Sequence, residues 1–220
     1  VYLGIGQWER ALSLYEQVLP IVHETDNRAE EALALNNIAG VYGSIGQWER
    51  ALSLLIQSLS ITRTVTNRSV EAMTLNNIAR AYHVMGQWER ALDQFEQALP
   101  IMREVGNLAG EAMVLANEAE IYRESEQLER ALSLNEQALL IKRKVKDPMG
   151  EAMILNNMGG VYYAMGQAEL ALSLSEQALS IMREISSPAG ESMVLTNIAI
   201  YQYPNRSRGT ITLMQRALNL

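Results

Sequence analysis

Cysteine is absent from the 220 residues, which excludes disulfide frameworks, thiol nucleophiles and cysteine metal sites. Only two histidines occur, His23 and His83, too few and too scattered for a metal site or for a base serving the many serines. Positive charge is also scarce: 18 lysines and arginines stand against 25 acidic residues, for a formal net charge of −7. That deficit argues against nucleic acid, whose phosphate backbone is held by clustered Lys and Arg. The single basic cluster, Lys142, Arg143, Lys144 and Lys146, falls at the C-terminal end of an expected helix, where cations complement the helix dipole. Apolar runs of the ~20 residues that a membrane helix requires do not occur. The expectation is a soluble, cytoplasmic chain without cofactor, without membrane contact and without catalytic residues.

What the sequence has is repetition. The string Gly46-Gln47-Trp48-Glu49-Arg50-Ala51-Leu52 returns at Gly86–Leu92, is present at Gly6–Leu12, and recurs in weakened form at Glu126–Leu132 and Gly166–Leu172, a period of 40 residues. A fixed period of this size means one supersecondary unit stacked on copies of itself, each too small to bury its apolar face alone. Within a unit, apolar residues recur at helical spacing twice, first at Leu75, Ile78, Ala79, Tyr82 and Met85, then at Trp88, Ala91, Leu92, Phe95, Ala98 and Leu99. Asn27, Asn67, Asn107, Asp147 and Ser187 stand 40 apart ahead of the first helix, all of them good N-cap residues. Pro148 and Pro188 follow two of them, at a first helical position that tolerates proline. Helix A is therefore expected over Arg28–Ser44 and helix B over about Trp48–Val65, with Gly46, Gly86 and Gly166 taking the left-handed conformation between them. Glu31, Glu71, Glu111, Glu151 and Glu191 sit in the first turn of helix A, facing its positive end.

The residues Leu75, Ile78, Ala79 and Tyr82, then Ala91, Phe95, Ala98 and Leu99, resemble the tetratricopeptide signature. The period exceeds the family's usual ~34 residues, and its late proline is absent, with Arg103 or Thr62 near that point. The chain is thus similar to the lengthened repeats of kinesin light chains. The strings Gly110–Asn117 and Gly150–Asn157 are closest to bacterial arrays, abundant in cyanobacteria, linked to caspase-like protease or signalling ATPase modules. The resemblance implies an all-α fold, a right-handed α-solenoid of antiparallel helix pairs. It also implies a non-catalytic protein- or peptide-binding scaffold or sensor segment of a larger bacterial signalling protein. The alternative is a structural segment that self-associates end to end or through its lateral faces.

The array divides into a partial first repeat at 1–26, whole repeats at 27–66, 67–106, 107–146 and 147–186, and a degenerate sixth at 187–220. This reads as a fragment of a longer protein. Residues Val1 to Gly6 are expected to be poorly ordered or held by a neighbouring molecule, and Leu12, Tyr15 and Leu19 more exposed than Leu92, Phe95 and Leu99.

Asn37, Asn77, Asn117, Asn157 and Asn197 recur on the other face of helix A, with Leu33, Met73, Met113, Met153 and Met193 one turn before them. In tetratricopeptide superhelices this side resembles the lining of the concave groove, where carboxamides hold an extended peptide by its main chain and methionines add an adaptable apolar surface. The competing reading is structural: asparagine is a mediocre helix former, and inter-repeat hydrogen bonds would equally account for the column. Methionines packed between repeats are the matching alternative. Beyond each Asn the groove varies. Gly40 and Gly43 leave room, whereas Arg80, His83 and Arg123 favour an acidic side chain or C-terminal carboxylate, tempered by Glu120 and Glu124; Tyr163 follows in the next repeat. The peptide-binding candidates are therefore these asparagines with Arg80, His83, Arg123, Tyr163, Met73, Met113 and Met153.

The repeat at 107–146 breaks the pattern. Glu118 replaces an apolar residue found at Ile38, Ile78 and Met158, and Asn135 stands where Tyr15, Leu55 and Phe95 would pack. Either Glu118 and Asn135 pair in a polar gap at which the array flexes, or Glu118 reaches solvent at the rim.

Overall fold

The computed structural model describes residues 8–24 and 27–202. Within them lie ten α-helices and no strand: α1 Trp8–Glu24, α2 Arg28–Ser44, α3 Trp48–Thr64, α4 Arg68–Val84, α5 Trp88–Glu104, α6 Leu108–Glu124, α7 Leu128–Lys144, α8 Pro148–Ala164, α9 Ala168–Glu184 and α10 Pro188–Gln202. Helix A is Arg28–Ser44 as expected, and helix B ends one residue early, at Thr64. The start of the partial first repeat and the end of the degenerate sixth lie outside the described residues, as do Val1 to Gly6.

The helix boundaries follow local chemistry. Asn27, Asn67, Asn107, Asp147 and Ser187 each accept a hydrogen bond from the backbone N–H three residues on, at 3.3, 3.2, 2.9, 2.8 and 3.3 Å. Between helices A and B, Gly46 takes φ +79° and lets the N–H of Gln47 reach Tyr42 O at 2.8 Å. Glu126 holds the same left-handed place at φ +61°, with Gln127 N–H on Tyr122 O at 2.8 Å. Each B-to-A turn carries an ionic staple. Arg63, Arg103, Arg143 and Arg183 reach Glu71, Glu111, Glu151 and Glu191 at 3.1, 2.7, 2.7 and 3.5 Å, and His23 reaches Glu31 at 3.0 Å. The recurring glutamates thus have a cationic partner besides the helix end.

The repeated Trp-Glu-Arg string has a packing role. Arg50, Arg90 and Arg130 lie 5.8, 4.9 and 5.3 Å from the ring centres of Tyr42, Tyr82 and Tyr122, binding helix B to helix A. In the next repeat Leu170 replaces the arginine and is exposed.

The chain divides between Val114 and Leu115 into two compact units. That border lies in the repeat where the sequence pattern breaks. In the first unit, Ala39, Ala51, Leu55 and Ile78 form a buried cluster with Tyr42, Leu52 and Tyr82 against it. Phe95 and Leu75 are wholly buried; each such side chain contributes about 1.5–3 kcal/mol over exposure. On α1, Tyr15 is half-buried where Phe95 is buried, and Leu14, Val18 and Ile21 are exposed. Leu12 and Leu19 fall in the same half-buried class as Leu92 and Leu99, so the expected difference is confined to Tyr15.

In the second unit the expected Glu118–Asn135 pair does not form. Asn135 turns its Nδ2 onto Ala131 O at 3.0 Å, one turn back in its own helix, and its buried Oδ1 has no partner. The carbonyl of its own helix is the nearer acceptor for a short amide side chain. The polar gap exists, closed from within α7. A second orphan, Ser175 Oγ, occupies the equivalent place on α9.

Candidate functional site

The asparagine column turns out to be one half of a pair. The preceding residues Asn36, Asn76 and Asn156 are buried, and the column residue of the next repeat donates to them: Asn77 Nδ2 to Asn36 Oδ1 at 3.1 Å, and Asn197 Nδ2 to Asn156 Oδ1 at 3.0 Å. In the first unit Asn36 is a hub. Its Nδ2 lies 2.6 Å from Ser58 Oγ, 2.7 Å from Thr74 Oγ1 and 3.3 Å from Ala32 O, so α2, α3 and α4 meet on one amide. The structural role of the column is therefore present, carried jointly with the residue that precedes each column asparagine. The doubled Asn-Asn at one phase of the repeat was the available signal.

The pairing does not exhaust the column. Asn37 is exposed and makes no hydrogen bond with any described residue. Asn77 is half-buried; one of its Nδ2 hydrogens goes to Asn36, while its Oδ1 takes only a long 3.4 Å bond from Asn76. Asn157 is half-buried and has no hydrogen-bond partner among the described residues, because Ala116 stands where an Asn36 or Asn156 would accept. Asn117 and Asn197 are half-buried. One turn earlier, Met113 and Met153 are exposed and Met73 is half-buried.

Arg80 and Arg123, similar in sequence, have different surroundings. Arg123 is gripped by Glu120, at 2.8 Å from Nε and 2.5 Å from Nη2, with Glu124 at 3.9 Å. The hydrogen bonds it donates to Glu120 hold its guanidinium charged more firmly than usual, against the opposing effect of burial. The expectation that Arg123 attracts an acidic ligand is corrected accordingly: its charge is already answered inside the helix. Tyr163 is likewise engaged, stacked on Tyr201 with ring centres 4.7 Å apart. Tyr201 covers the Gly159–Gly160 pair, and burial pushes its phenol above the ordinary value, opposed by the charge of Arg123. His83 is half-buried in the last turn of α4.

Arg80 is exposed and forms no ion pair with any described residue. It edges a pocket of about 580 Å³ in the first unit, whose wall includes Tyr15, Asn37, Gly40, Gly43, Trp48 and Asn77. Gly43 is required by the indole: a Cβ there would lie 2.8 Å from Trp48 Cζ3. Gly40 is different, for a Cβ on it meets nothing within 4 Å, so the glycine leaves open volume that a side chain would fill. No acidic side chain of the described residues lines this pocket. Among the described residues, no three His, Asp or Glu side chains gather as metal ligands, and no helix is long and apolar enough to cross a membrane.

Helix pairs of this length, closed by left-handed turns and bonded A-helix to A-helix, define a helical repeat protein. The tetratricopeptide repeat family pattern matches residues 1–64, 70–144 and 150–220, and the chain belongs to that family. No curated relative matches the sequence. Among solved structures it is similar to a kinesin light chain array of nearly identical TPR-like repeats from Podosopora anserina, at 24% identity and TM-score 0.65, covering 82% of this chain and 89% of that one. It is similar to a signal transduction ATPase with numerous domains that carries a tetratricopeptide repeat sensor, from Pyrococcus horikoshii, at 19% identity and TM-score 0.70, covering 97% and 34%. A third is the Rap conjugation gene regulator of the plasmid pLS20, solved in complex with the Phr* peptide, at 18% identity and TM-score 0.80, covering 96% and 58%. At these identities the likeness is one of fold.

Proposed function

We propose that the chain is a non-catalytic, cytoplasmic protein- and peptide-binding scaffold or sensor segment of a larger bacterial signalling protein, and that an extended peptide lies along the A-helix face of the first unit. The observation that carries this is the Gly40 pocket, where open volume adjoins Asn37 with its whole amide unspent and Asn77 with part of its amide unspent. Carboxamides at repeat spacing match main-chain groups of an extended ligand without reading its sequence. The pLS20 regulator, of the same fold, was solved with a peptide, which supports the reading by analogy.

The test is selection of a phage-displayed random peptide library on the 220-residue chain, followed by binding of the selected peptides to variants. Gly40→Leu, whose Cβ meets nothing within 4 Å and whose side chain takes up the open volume, abolishes binding, and Asn37→Ala weakens it several-fold. Peptides that bind Gly40→Leu as well as the parent place the ligand elsewhere and sink the proposal.

One observation favours a second reading, self-association. Leu14, Val18 and Ile21 expose an apolar stripe on α1 at helical spacing. Sedimentation of the parent against Leu14→Glu with Ile21→Glu tests it: a concentration-dependent oligomer that the double change dissolves supports this reading, and a monomer throughout removes it.

A further inference from the structure

We propose that the pocket beside Gly40 and Gly43 is a selectivity subsite for an acidic side chain, an Asp or Glu of the bound peptide set on Arg80, with a neighbouring apolar residue of the peptide against Tyr15 and Trp48. This rests on the groove reading above and adds to it the chemistry that the groove selects.

Three observations converge on it. The first is the state of the arginines on the A helices. Arg28 holds Glu31 at 2.9 Å, Arg68 bridges Glu71 at 2.7 Å and Glu104 at 2.9 Å, and Arg123 chelates Glu120. Arg80 alone among these holds no carboxylate of the described residues. In a chain with 25 acidic residues an arginine without a carboxylate partner is conspicuous, and among the described residues no acidic side chain lines the pocket that it edges. A guanidinium presents a planar fork of donors matched to a carboxylate, and a charge-assisted pair of that kind is stronger than a neutral hydrogen bond.

The second is volume. Gly40 occupies the position that Arg80 and Glu120 fill in the following repeats, and its Cβ direction opens onto free space. The arginine's own repeat neighbour has thus been cut back to nothing, which gives a ligand room to approach Nη1 and Nη2. The third is the character of the wall. The indole of Trp48 packs against Gly43, and Tyr15 and Ala51 line the same pocket as Arg80. An acidic residue alone would leave that surface wet; an acidic residue followed by a large apolar one uses both.

The second unit supplies the contrast. Where Gly160 opens the same position, Tyr201 places its hydroxyl group 3.6 Å from the Cβ that Gly160 lacks, and the nearby Arg123 is paired. The second unit therefore offers no equivalent subsite.

The experiment is the same phage selection run in parallel on the parent chain, on Arg80→Gln and on Lys144→Gln, which removes an exposed charge from the second unit. Arg80 is exposed and forms no hydrogen bond or ion pair with a described residue that its loss would break, and the urea midpoint of the variant is checked against that of the parent. The parent and Lys144→Gln enrich an acidic residue next to a large apolar one, and Arg80→Gln does not. Synthetic versions of the parent's peptides, acetylated and amidated at their ends, lose about tenfold in affinity when that acid becomes Gln, and this loss is absent on Arg80→Gln. Acidic enrichment that persists on Arg80→Gln overturns the subsite, as does a carboxylate requirement met only by a free peptide C-terminus. If selected peptides lack an acidic preference yet fail on Gly40→Leu, the groove reading stands and the subsite falls. If nothing is enriched on the parent, both fall.

Discussion

The two units of the chain build one helix pair on different polar chemistry. In the first, the buried amide of Asn36 is answered by Ser58, Thr74 and Asn77, and the surface above it is left open beside an unpaired Arg80. In the second, Ala116 removes the corresponding acceptor, Asn135 Oδ1 and Ser175 Oγ are buried without partners, and the surface is filled by the Tyr163–Tyr201 stack and a neutralised Arg123. The lesson is that a repeat fold fixes the backbone and leaves each copy free to place its unsatisfied groups. Unspent polar capacity lies at the surface in the first unit, at Asn37 and Asn77 beside Arg80. In the second it lies at the half-buried Asn157 and, at Asn135 and Ser175, in the interior, where it costs stability.

The largest expected effect tests the first unit's hub. Asn36→Ala strips Ser58, Thr74 and Asn77 of a shared partner and is predicted to destabilise by about 2–3 kcal/mol, whereas Asn156→Ala, which loses the bond from Asn197, costs about 1 kcal/mol. Urea denaturation with hydrogen exchange resolved by helix compares them; equal losses would erase the contrast.

Next comes the second unit's interior. Asn135→Leu removes a buried oxygen that has no partner and restores the residue type found at Leu55, so a gain of about 1–2 kcal/mol is expected. A loss of stability there would mean that the site is hydrated and already satisfied.

A smaller gain, about 0.5–1 kcal/mol, is expected for Glu126→Gly, since Glu126 sits at φ +61° where Gly46, Gly86 and Gly166 stand at +79°, +72° and +77°. The converse change, Gly46→Ala, should lower the unfolding midpoint, and no change in either variant would remove the left-handed turn as a source of strain.

The smallest effect is on pH. Burial raises the pKa of the Glu31 carboxyl, but hydrogen bonds from His23 and Arg28 outweigh it and hold the group below its ordinary 4.5. The unfolded chain then takes up the proton first as pH falls, so this contribution is complete above pH 4.5 and fades below it, through the folded value. In the second unit, hydrogen bonds from Lys142 and from the N–H of Gly150 hold Asp147 below its ordinary 3.8, so its loss sets in at lower pH. Acid titration of Glu31→Gln against Asp147→Asn separates the two; identical profiles would show that neither staple matters.

The 40-residue period, the helix limits, the five N-caps and the left-handed glycine turns were legible in the sequence, because each depends on residues within a turn or two of one another. Helix spacing also placed the asparagine column on one face. What the sequence could not reveal was the fate of each side chain on that face. Arg80 and Arg123 both stand in the second half of a helix A, yet Arg80 holds no carboxylate of the described residues and Arg123 is chelated, because the outcome turns on whether a carboxylate lies within hydrogen-bond reach. The Asn77–Asn36 bond joins residues 41 apart, and Asn157 loses its counterpart only because residue 116 is alanine. The positions of Glu118 and Asn135 suggest a pair, but the amide of Asn135 donates to the carbonyl of Ala131 in its own helix. By itself the sequence determined the repeat and its helices, since short-range propensity, capping and apolar periodicity act along the chain. Tertiary structure decided which polar groups are spent and which remain for a ligand, since that depends on distances of a few ångströms between helices brought together from distant parts of the sequence.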